Sequence, residues 1–288
     1  MSVQVKIKVP TTENRSIEQL IEHYEIEKEL AQRLLKSNKK ERQYLYTAVY
    51  DELYRKVPHH SQLTRKSSPE ISAWIVAQRM QLLEHFLSPD LTFLEVGPGD
   101  CSLSIEISKY VKKVYAVDVA TELTQQLKFP ENFEFIISDG CSIPVPENSA
   151  NIAYSHQLME HLHPDDAIEQ VQNIYKALAP GGRYICITPN RLSGPHDISR
   201  YFDETATGFH LKEYTVTELY NLFREVGFYK VSWVKSNGKT YIEFPVNPTT
   251  LPMIRTIEAI ISALPFPLRR KIANTPMLFR GMTIIGTK

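Results

Sequence analysis

A glycine-rich turn at residues 94–104, LEVGPGDCSLS, constrains the fold of this chain more than any other feature. An apolar, strand-like run ends in GPG and is followed at once by a helix-like segment. Glycine is needed where the backbone takes a positive φ or approaches a ligand closely, and the start of the next helix offers unpaired amides. The pattern predicts a strand whose carboxyl end binds a nucleotide-like ligand.

Short runs rich in β-branched and aromatic residues alternate with helix-like segments from residue 92 onward. These runs lie at residues 92–97, 113–119, 133–138, 150–156, 183–190, 227–235 and 281–288. Helices are expected at 101–110, 164–178 and 215–226, with a short turn at 121–127 and a PGG breaker after the second helix. This alternation predicts an α/β fold, a Rossmann-like, seven-stranded and mostly parallel sheet of the doubly wound type with helices on both faces.

Helical periodicity dominates the regions on either side of this core. Apolar residues recur at helical spacing in residues 16–35, 40–57 and 69–87, and Ser16 with Gln19 is a start signal for the first helix. Residues 240–278, before the last strand, form a second apolar and proline-punctuated segment. We expect an N-terminal helical cap at residues 1–88 and a sheet domain at residues 89–288 that contains a helical cap insertion at about 240–278.

Charge and cysteine content argue against several classes of partner. The chain has 33 Lys and Arg against 33 Asp and Glu, so no net field attracts nucleic acid or an anionic membrane. The three cysteines are scattered, which argues against a disulfide framework and a zinc site and fits a cytoplasmic protein. No apolar run reaches the roughly 18 residues of a spanning helix. We expect no nucleic-acid partner and no stable membrane insertion, while peripheral membrane contact by residues 253–271 stays open.

Two residues around the glycines separate the classes of ligand. A dinucleotide-binding turn has Gly or Ala at its sixth position, where this chain has Ser102. Glu95, two residues before the first glycine, would crowd a pyrophosphate but suits a ligand that carries an ammonium group. The turn therefore favours a cationic cofactor over a nicotinamide dinucleotide.

With these motifs the chain resembles the class I S-adenosylmethionine-dependent methyltransferases, in particular their small-molecule branch, over about residues 92–228. The resemblance implies that Glu95 lies near the methionyl ammonium end of S-adenosylmethionine and that Gly97 and Gly99 form the glycine turn. Many members have a third glycine where this chain has Cys101, which is a departure from the pattern.

The resemblance also implies further cofactor-binding residues at the ends of the next strands. Asp118 takes the place of the acidic residue that binds the two ribose hydroxyls. Asp139 takes the place of the residue that accepts from the adenine amino group, with the backbone of Gly140 or Cys141 at the ring edge. Ser155, at the end of the fourth strand, is the last of the expected cofactor-binding residues.

Histidines near this edge are the candidates for catalysis. Methyl transfer from a sulfonium depends on alignment, and a base is needed only when the acceptor is a hydroxyl or a protonated amine. His156 and His161 follow the fourth strand, and His196 and His210 lie in the long loop after residue 190. We expect His156, His161 and His196 to include any base, although a hydrogen-bonded structural histidine explains each position equally well.

No metal site is expected from the paired carboxylates. Asp165 and Asp166 begin a predicted helix, where negative charge favours the helix dipole, so a metal is not needed to explain them. Asp203 and Glu204 in the loop form the other pair of carboxylates.

The expected activity is methyl transfer from S-adenosylmethionine to oxygen or nitrogen of a small-molecule acceptor, by in-line displacement with a histidine as the candidate base. Two alternatives remain open. One is an NAD-dependent oxidoreductase, which Ser102 and Glu95 disfavour. The other is a non-catalytic scaffold that binds the cofactor without turnover. The sequence indicates neither the acceptor nor the oligomeric state.

Overall fold

An eight-stranded sheet forms the centre of the computed structural model, which describes residues 13–60, 69–119, 124, 127–236, 240–276 and 278–288. The strand order is β3-β2-β1-β4-β5-β8-β6-β7. Strands β1 to β5 are parallel, whereas β8 runs antiparallel to both β5 and β6, and β7 runs antiparallel to β6. Their bounds are β1 Thr92–Val96, β2 Lys113–Asp118, β3 Phe133–Ile137, β4 Ala150–His156, β5 Leu178–Thr188, β6 Lys230–Ser236, β7 Tyr241–Val246 and β8 Met282–Thr287.

The fold class is confirmed, but the sheet has one strand more than the predicted seven. The extra strand is β7, which lies at the start of the segment predicted to be a helical insertion. It pairs with β6 alone and contains Pro245, opposite Ser232, as an edge strand can. Proline suggested a break in the chain, whereas it only removes a hydrogen-bond donor that an edge strand does not need.

The helices lie close to their predicted positions. They are α1 Ile17–Lys36, α2 Lys39–Lys56, α3 Pro69–Leu83, α4 Ser102–Ile107, α5 Pro164–Ala177, α6 Val216–Val226, α7 Leu251–Ser262 and α8 Phe266–Ala273. Ser16 caps α1 in a capping box with Gln19, as its sequence predicts. The predicted turn at residues 121–127 lies mostly outside the described residues.

The PGG sequence after α5 does not form a separate breaker. Strand β5 begins directly at Leu178 and runs through it, because the chain end holds these residues in the sheet. The Gly181 amide donates to the carbonyl of Lys288 at 2.8 Å, and the Lys288 amide donates to the carbonyl of Gly182 at 2.9 Å. Pairing with a distant segment therefore overrides the local turn signal.

Buried side chains form a separate cluster on each face of the sheet. Helices α3 and α4 pack on one face against Phe93, Tyr154 and Ile185. Helices α2, α5, α6, α7 and α8 contribute to the cluster on the other face. None of the described helices is both long and apolar enough to cross a membrane.

The N-terminal helices are fixed to the body of the protein by buried polar contacts. Arg42 of α2 makes a two-pronged ion pair with Asp166 at 2.6 and 2.7 Å, and both side chains are buried. The Tyr46 hydroxyl donates to Asp166 at 2.7 Å and accepts from the His163 amide at 2.8 Å. Asp166 therefore anchors α2 at the start of α5, beside the carboxyl end of β4.

Candidate functional site at the carboxyl edge of the sheet

In the turn after β1, every second residue from Gly97 to Cys101 has a positive φ. Gly97, Gly99 and Cys101 have φ of +73°, +61° and +57°. A methyl group placed on Gly97 would lie 3.1 Å from the Leu158 side chain, whereas one on Gly99 would meet no protein atom within 4 Å. The backbone at Gly99 therefore borders open space. Cys101 adopts a conformation that glycine takes without strain.

Glu95 is a buried carboxyl group at the end of β1. It is 1% exposed, and it accepts a hydrogen bond from the Ser104 hydroxyl of α4. Burial raises the pKa of Glu95 to about 7, although Ser104 and the positive charge of Arg79 act in the opposite direction. A cationic ligand beside this group would favour its charged form.

Tyr154 lies next to Glu95 on β4 and has an unsatisfied hydroxyl. The two residues are in register across the parallel pair β1 and β4. Tyr154 is fully buried, and its hydroxyl has no hydrogen-bond partner among the described residues. The charge of Arg79 on α3 acts on both groups. A carboxyl group and a hydroxyl thus lie side by side within the electrostatic influence of a guanidinium group, and an amino-acid zwitterion offers partners to all three.

Asp118 ends β2, the strand next to β1. Its Oδ2 accepts from the Gly99 amide at 3.1 Å and its Oδ1 accepts from the Val119 amide at 2.7 Å. The first contact joins the carboxylate to the glycine turn, so Asp118 and the turn form one unit. Its half-buried carboxylate lies where strands β1 and β2 both end.

Asp139 follows β3 and organises its own turn. Its Oδ1 accepts from the amides of Cys141 and Ser142 at 3.0 and 2.8 Å. Burial raises the pKa of Asp139, but these hydrogen bonds outweigh it and lower the pKa overall. Gly140, with φ of +93°, lies under the ring of Tyr46, 3.5 Å from a methyl group placed on it. Helix α2 therefore covers this end of the edge.

Ser155 is in register with Val96 at the end of β1, but its side chain does not face Glu95. It is buried, and its hydroxyl lies 2.8 Å from the hydroxyl of Tyr184. Because neighbouring residues of a strand face opposite sides, Ser155 lies on the face of the sheet away from Glu95 and Tyr154.

The three candidate histidines occupy different environments. Burial lowers the pKa of His156 to about 3, and its Nδ1 is buried with no partner among the described residues. Burial also lowers the pKa of His161 to about 3, and its Nδ1 lies 3.0 Å from the carbonyl oxygen of Phe209. His196 lies 3.3 Å from a carboxylate oxygen of Glu213 and 3.3 Å from the Ser193 hydroxyl. His156 faces the Glu95 side, whereas the other two face the N-terminal helices and the long loop.

An aromatic wall borders His161. The ring of Tyr50 lies 6.3 Å from His161 and 4.8 Å from Phe209, and its hydroxyl makes no hydrogen bond to a described residue. His210 lies 4.9 Å from His161 with its ring nearly perpendicular. These contacts place α2, the segment after β4 and the long loop around one polar and aromatic surface.

Sequence reasoning missed Arg79, Tyr154 and Glu160. Arg79 gave no signal because it lies on a separate helix far from the glycine turn. Tyr154 looked like an ordinary apolar strand residue. Glu160 was visible beside His161 in the sequence MEHL, and only its distance to the loop residues shows what surrounds it.

The sequence matches the family model of a methyltransferase domain over residues 24–232. Over 137 residues it is 27% identical to a Mycolicibacterium smegmatis protein named as a probable S-adenosylmethionine-dependent methyltransferase. The match covers 47% of this chain and 51% of that protein, so the chain spans about half the length of this curated relative.

Solved structures show the same fold at low identity. A SAM-dependent methyltransferase from Archaeoglobus fulgidus has a TM-score of 0.50 and 18% identity, over 78% of this chain and 96% of that one. A phosphoethanolamine N-methyltransferase from Haemonchus contortus, in complex with phosphoethanolamine and S-adenosylhomocysteine, has a TM-score of 0.53 and 12% identity, over 87% of this chain and 50% of that one. At such identities the likeness establishes the fold alone.

Proposed function

Since the chain belongs to the methyltransferase-domain family that it matches over residues 24–232, we propose that it transfers a methyl group from S-adenosylmethionine to oxygen or nitrogen of a small molecule. The observation that carries this proposal is the placement of Glu95, Asp118 and Asp139 at the ends of three neighbouring strands, beside a glycine turn with room for a ligand. One extended cofactor lying across the sheet edge accounts for all three carboxylates.

The residues present fit the parts of this cofactor. Glu95 faces the ammonium group, while Arg79 and the unsatisfied Tyr154 hydroxyl suit the carboxylate end of the same amino-acid moiety. Asp118 accepts from the ribose hydroxyls, and the turn organised by Asp139 reads the adenine edge. S-adenosylmethionine supplies a methyl group that its sulfonium charge already activates. The chain therefore has to bind the cofactor, align the acceptor with the methyl group and exclude water.

In this proposal the acceptor lies between the cofactor and the aromatic wall at Tyr50 and Phe209, next to His161. Because the His161 Nδ1–H donates to the Phe209 carbonyl, Nε2 remains an acceptor in the neutral ring. His161 is therefore the histidine that we expect nearest to the acceptor. His196 is held by Glu213 and Ser193, and we assign it an orienting role.

Several finer statements belong to the same proposal. Balanced charge and scattered cysteines support a small acceptor, no nucleic-acid partner and a cytoplasmic location. A division into a helical cap at residues 1–88 and a sheet domain at residues 89–288 is also part of the proposal, because the described elements before residue 89 are all helical, and the contacts of Arg42 and Tyr46 with Asp166 join this cap to the sheet domain.

Thermal stabilisation by S-adenosylhomocysteine, compared with stabilisation by NAD, tests the cofactor. We expect the midpoint of unfolding to rise with S-adenosylhomocysteine alone, and a rise with NAD alone would overturn the proposal. Incubation with methyl-labelled cofactor and a metabolite extract then tests turnover by mass spectrometry. Cofactor binding with no labelled product from any extract would favour a non-catalytic scaffold.

A further inference from the structure

Two groups of histidine and glutamate residues lie close together in the described part of the chain. His23, Glu27 and His60 form one, and Glu160, His161 and His210 form the other. In each group, every residue offers one nitrogen or carboxylate oxygen as a ligand atom, and these three atoms lie within 4.8 Å of one another. The two groups differ in whether hydrogen bonds already use those atoms.

Hydrogen bonds explain the first group. His23 contacts Glu27 through Nε2 at 2.7 Å and Arg15 through Nδ1 at 2.8 Å, so both ring nitrogens are used. Glu27 accepts from His23 with one carboxylate oxygen and from the Phe209 amide, at 2.8 Å, with the other. This group is a satisfied structural network.

The second group contains an unsatisfied carboxylate oxygen. Glu160 is fully buried, and its Oε2 accepts from the Thr188 hydroxyl at 2.9 Å. Its Oε1 is buried with no hydrogen-bond partner among the described residues. A buried carboxylate oxygen without a partner is costly, and a bound cation would satisfy it.

Both histidines of this group are oriented through Nδ1. His161 Nδ1 lies 3.0 Å from the Phe209 carbonyl oxygen, and His210 Nδ1 lies 2.8 Å from Glu213 Oε1. Nε2 of each ring makes no hydrogen bond to any residue that the structure describes. A carbonyl or carboxylate on one nitrogen is the usual support of a histidine that binds a metal through the other.

From these contacts we propose that Glu160, His161 and His210 bind a divalent transition-metal ion of the Zn²⁺ or Fe²⁺ class. Two imidazoles and one carboxylate suit these ions, whereas Mg²⁺ and Ca²⁺ favour all-oxygen ligands. Tetrahedral ligands at 2.0–2.1 Å from zinc lie about 3.3 Å apart, whereas the ligand atoms of this group lie within 4.8 Å of one another, so the side chains would move closer together around a bound ion.

The charges around the group favour a cation. Besides Glu160, the buried carboxylates of Asp197 and Glu213 act electrostatically on His210. Although burial lowers the pKa of His210, the hydrogen bond to Glu213 and these charges raise it to about 9, so a metal ion that binds Nε2 has to displace a proton from this ring. His161 is only partly buried, whereas Glu160 and His210 are buried. The paired carboxylates of the sequence predict no metal site, and no local pattern indicates that residue 210 approaches residues 160 and 161.

A role of this metal site in catalysis rests on the proposed function, methyl transfer. Three protein ligands leave coordination positions open, and the group lies beside the aromatic wall at Tyr50 and Phe209. A metal there would hold an oxygen-bearing acceptor in place. Metal binding itself does not depend on methyl transfer, so the two are tested separately.

Metal content of the full, tag-free chain tests the site. The protein is stripped with a chelator, dialysed against Zn²⁺ and measured by elemental mass spectrometry, without cofactor or acceptor. We expect one equivalent of zinc in the unaltered protein and in His163→Ala, a nearby histidine outside the group. Glu160→Gln and His210→Ala should lose this equivalent, and Glu213→Gln should bind about 10- to 100-fold more weakly.

Glu160→Gln keeps the side-chain volume and decides the result if His210→Ala fails to fold. A cobalt-substituted sample should show visible absorption that both variants lack. Absence of bound zinc from the unaltered protein, full retention of zinc by Glu160→Gln, or equal affinity for Mg²⁺ would each overturn the assignment. S-adenosylhomocysteine binding, measured on the same samples, reports on the proposed function independently.

Discussion

Glu95 should make cofactor binding depend on pH. Its pKa in the unliganded protein is raised to about 7 by burial, so the carboxyl group is mostly protonated at pH 5.5 and half ionised at pH 7. If only the ionised form pairs with the cofactor ammonium, the binding-competent fraction rises from about 3% to about 50% over this interval. The association constant should then rise about 15-fold.

Calorimetric titration with S-adenosylhomocysteine between pH 5.5 and 7 measures this slope. An α-amino group stays largely protonated in that range, so the ligand contributes little to the change. Glu95→Gln should bind weakly with little pH dependence. Glu160→Gln is the matched control, because burial also raises the pKa of Glu160 to about 7, and this variant should keep the slope.

A change of less than twofold in the association constant of the unaltered protein, or a full slope in Glu95→Gln, would refute the placement of the ammonium group at Glu95.

The same pKa shift has a consequence for stability without ligand. Between pH 4.5 and about 7 the folded state holds a proton that the unfolded chain has released. The contribution of Glu95 to the free energy of unfolding therefore falls as pH rises through this window.

Three further substitutions test the site and its supports. Asp118→Ala should weaken cofactor binding by about 1.5–3 kcal/mol, measured by calorimetry, and unchanged affinity would mean that the ribose site is misplaced. Cys101→Gly should be more stable to urea than Cys101→Ala by about 1 kcal/mol, since φ of +57° strains alanine but not glycine, and the reverse order would contradict this reason. Asp166→Asn, which breaks the buried pair with Arg42, should cost about 3–5 kcal/mol in urea unfolding. Glu169→Gln, at a largely exposed pair, should cost less than about 1 kcal/mol, and equal costs would show that burial is not what matters.

Sequence predicted the elements that depend on local patterns. The first strands, the three N-terminal helices and the capping box at Ser16 follow from hydrophobic period and capping chemistry, which neighbouring residues fix. Strand β7 and the early start of β5 were missed, because Pro245 and the PGG sequence are compatible with a strand only through pairing with distant segments.

Part of the candidate site was also predictable. Glu95, Asp118 and Asp139 each end a strand, and parallel strands bring their carboxyl ends to one edge of a sheet. Their roles toward a cofactor stay predictions. Sequence did not indicate that the Ser155 hydroxyl contacts Tyr184 on the opposite face, because the direction of a side chain depends on which residue of the strand is in register.

By itself the sequence determined the α/β class, the glycine turn and the order of the carboxylates, because each depends on residues within one strand, turn or helix. Only the tertiary structure decided which side chains from distant segments contact one another. It put Tyr154 in register with Glu95, brought the charge of Arg79 near enough to act on both, fixed α2 to Asp166, and brought His210 to Glu160 and His161. Such contacts join segments dozens of residues apart. Their geometry follows from how helices and loops pack on the sheet, which no local pattern specifies.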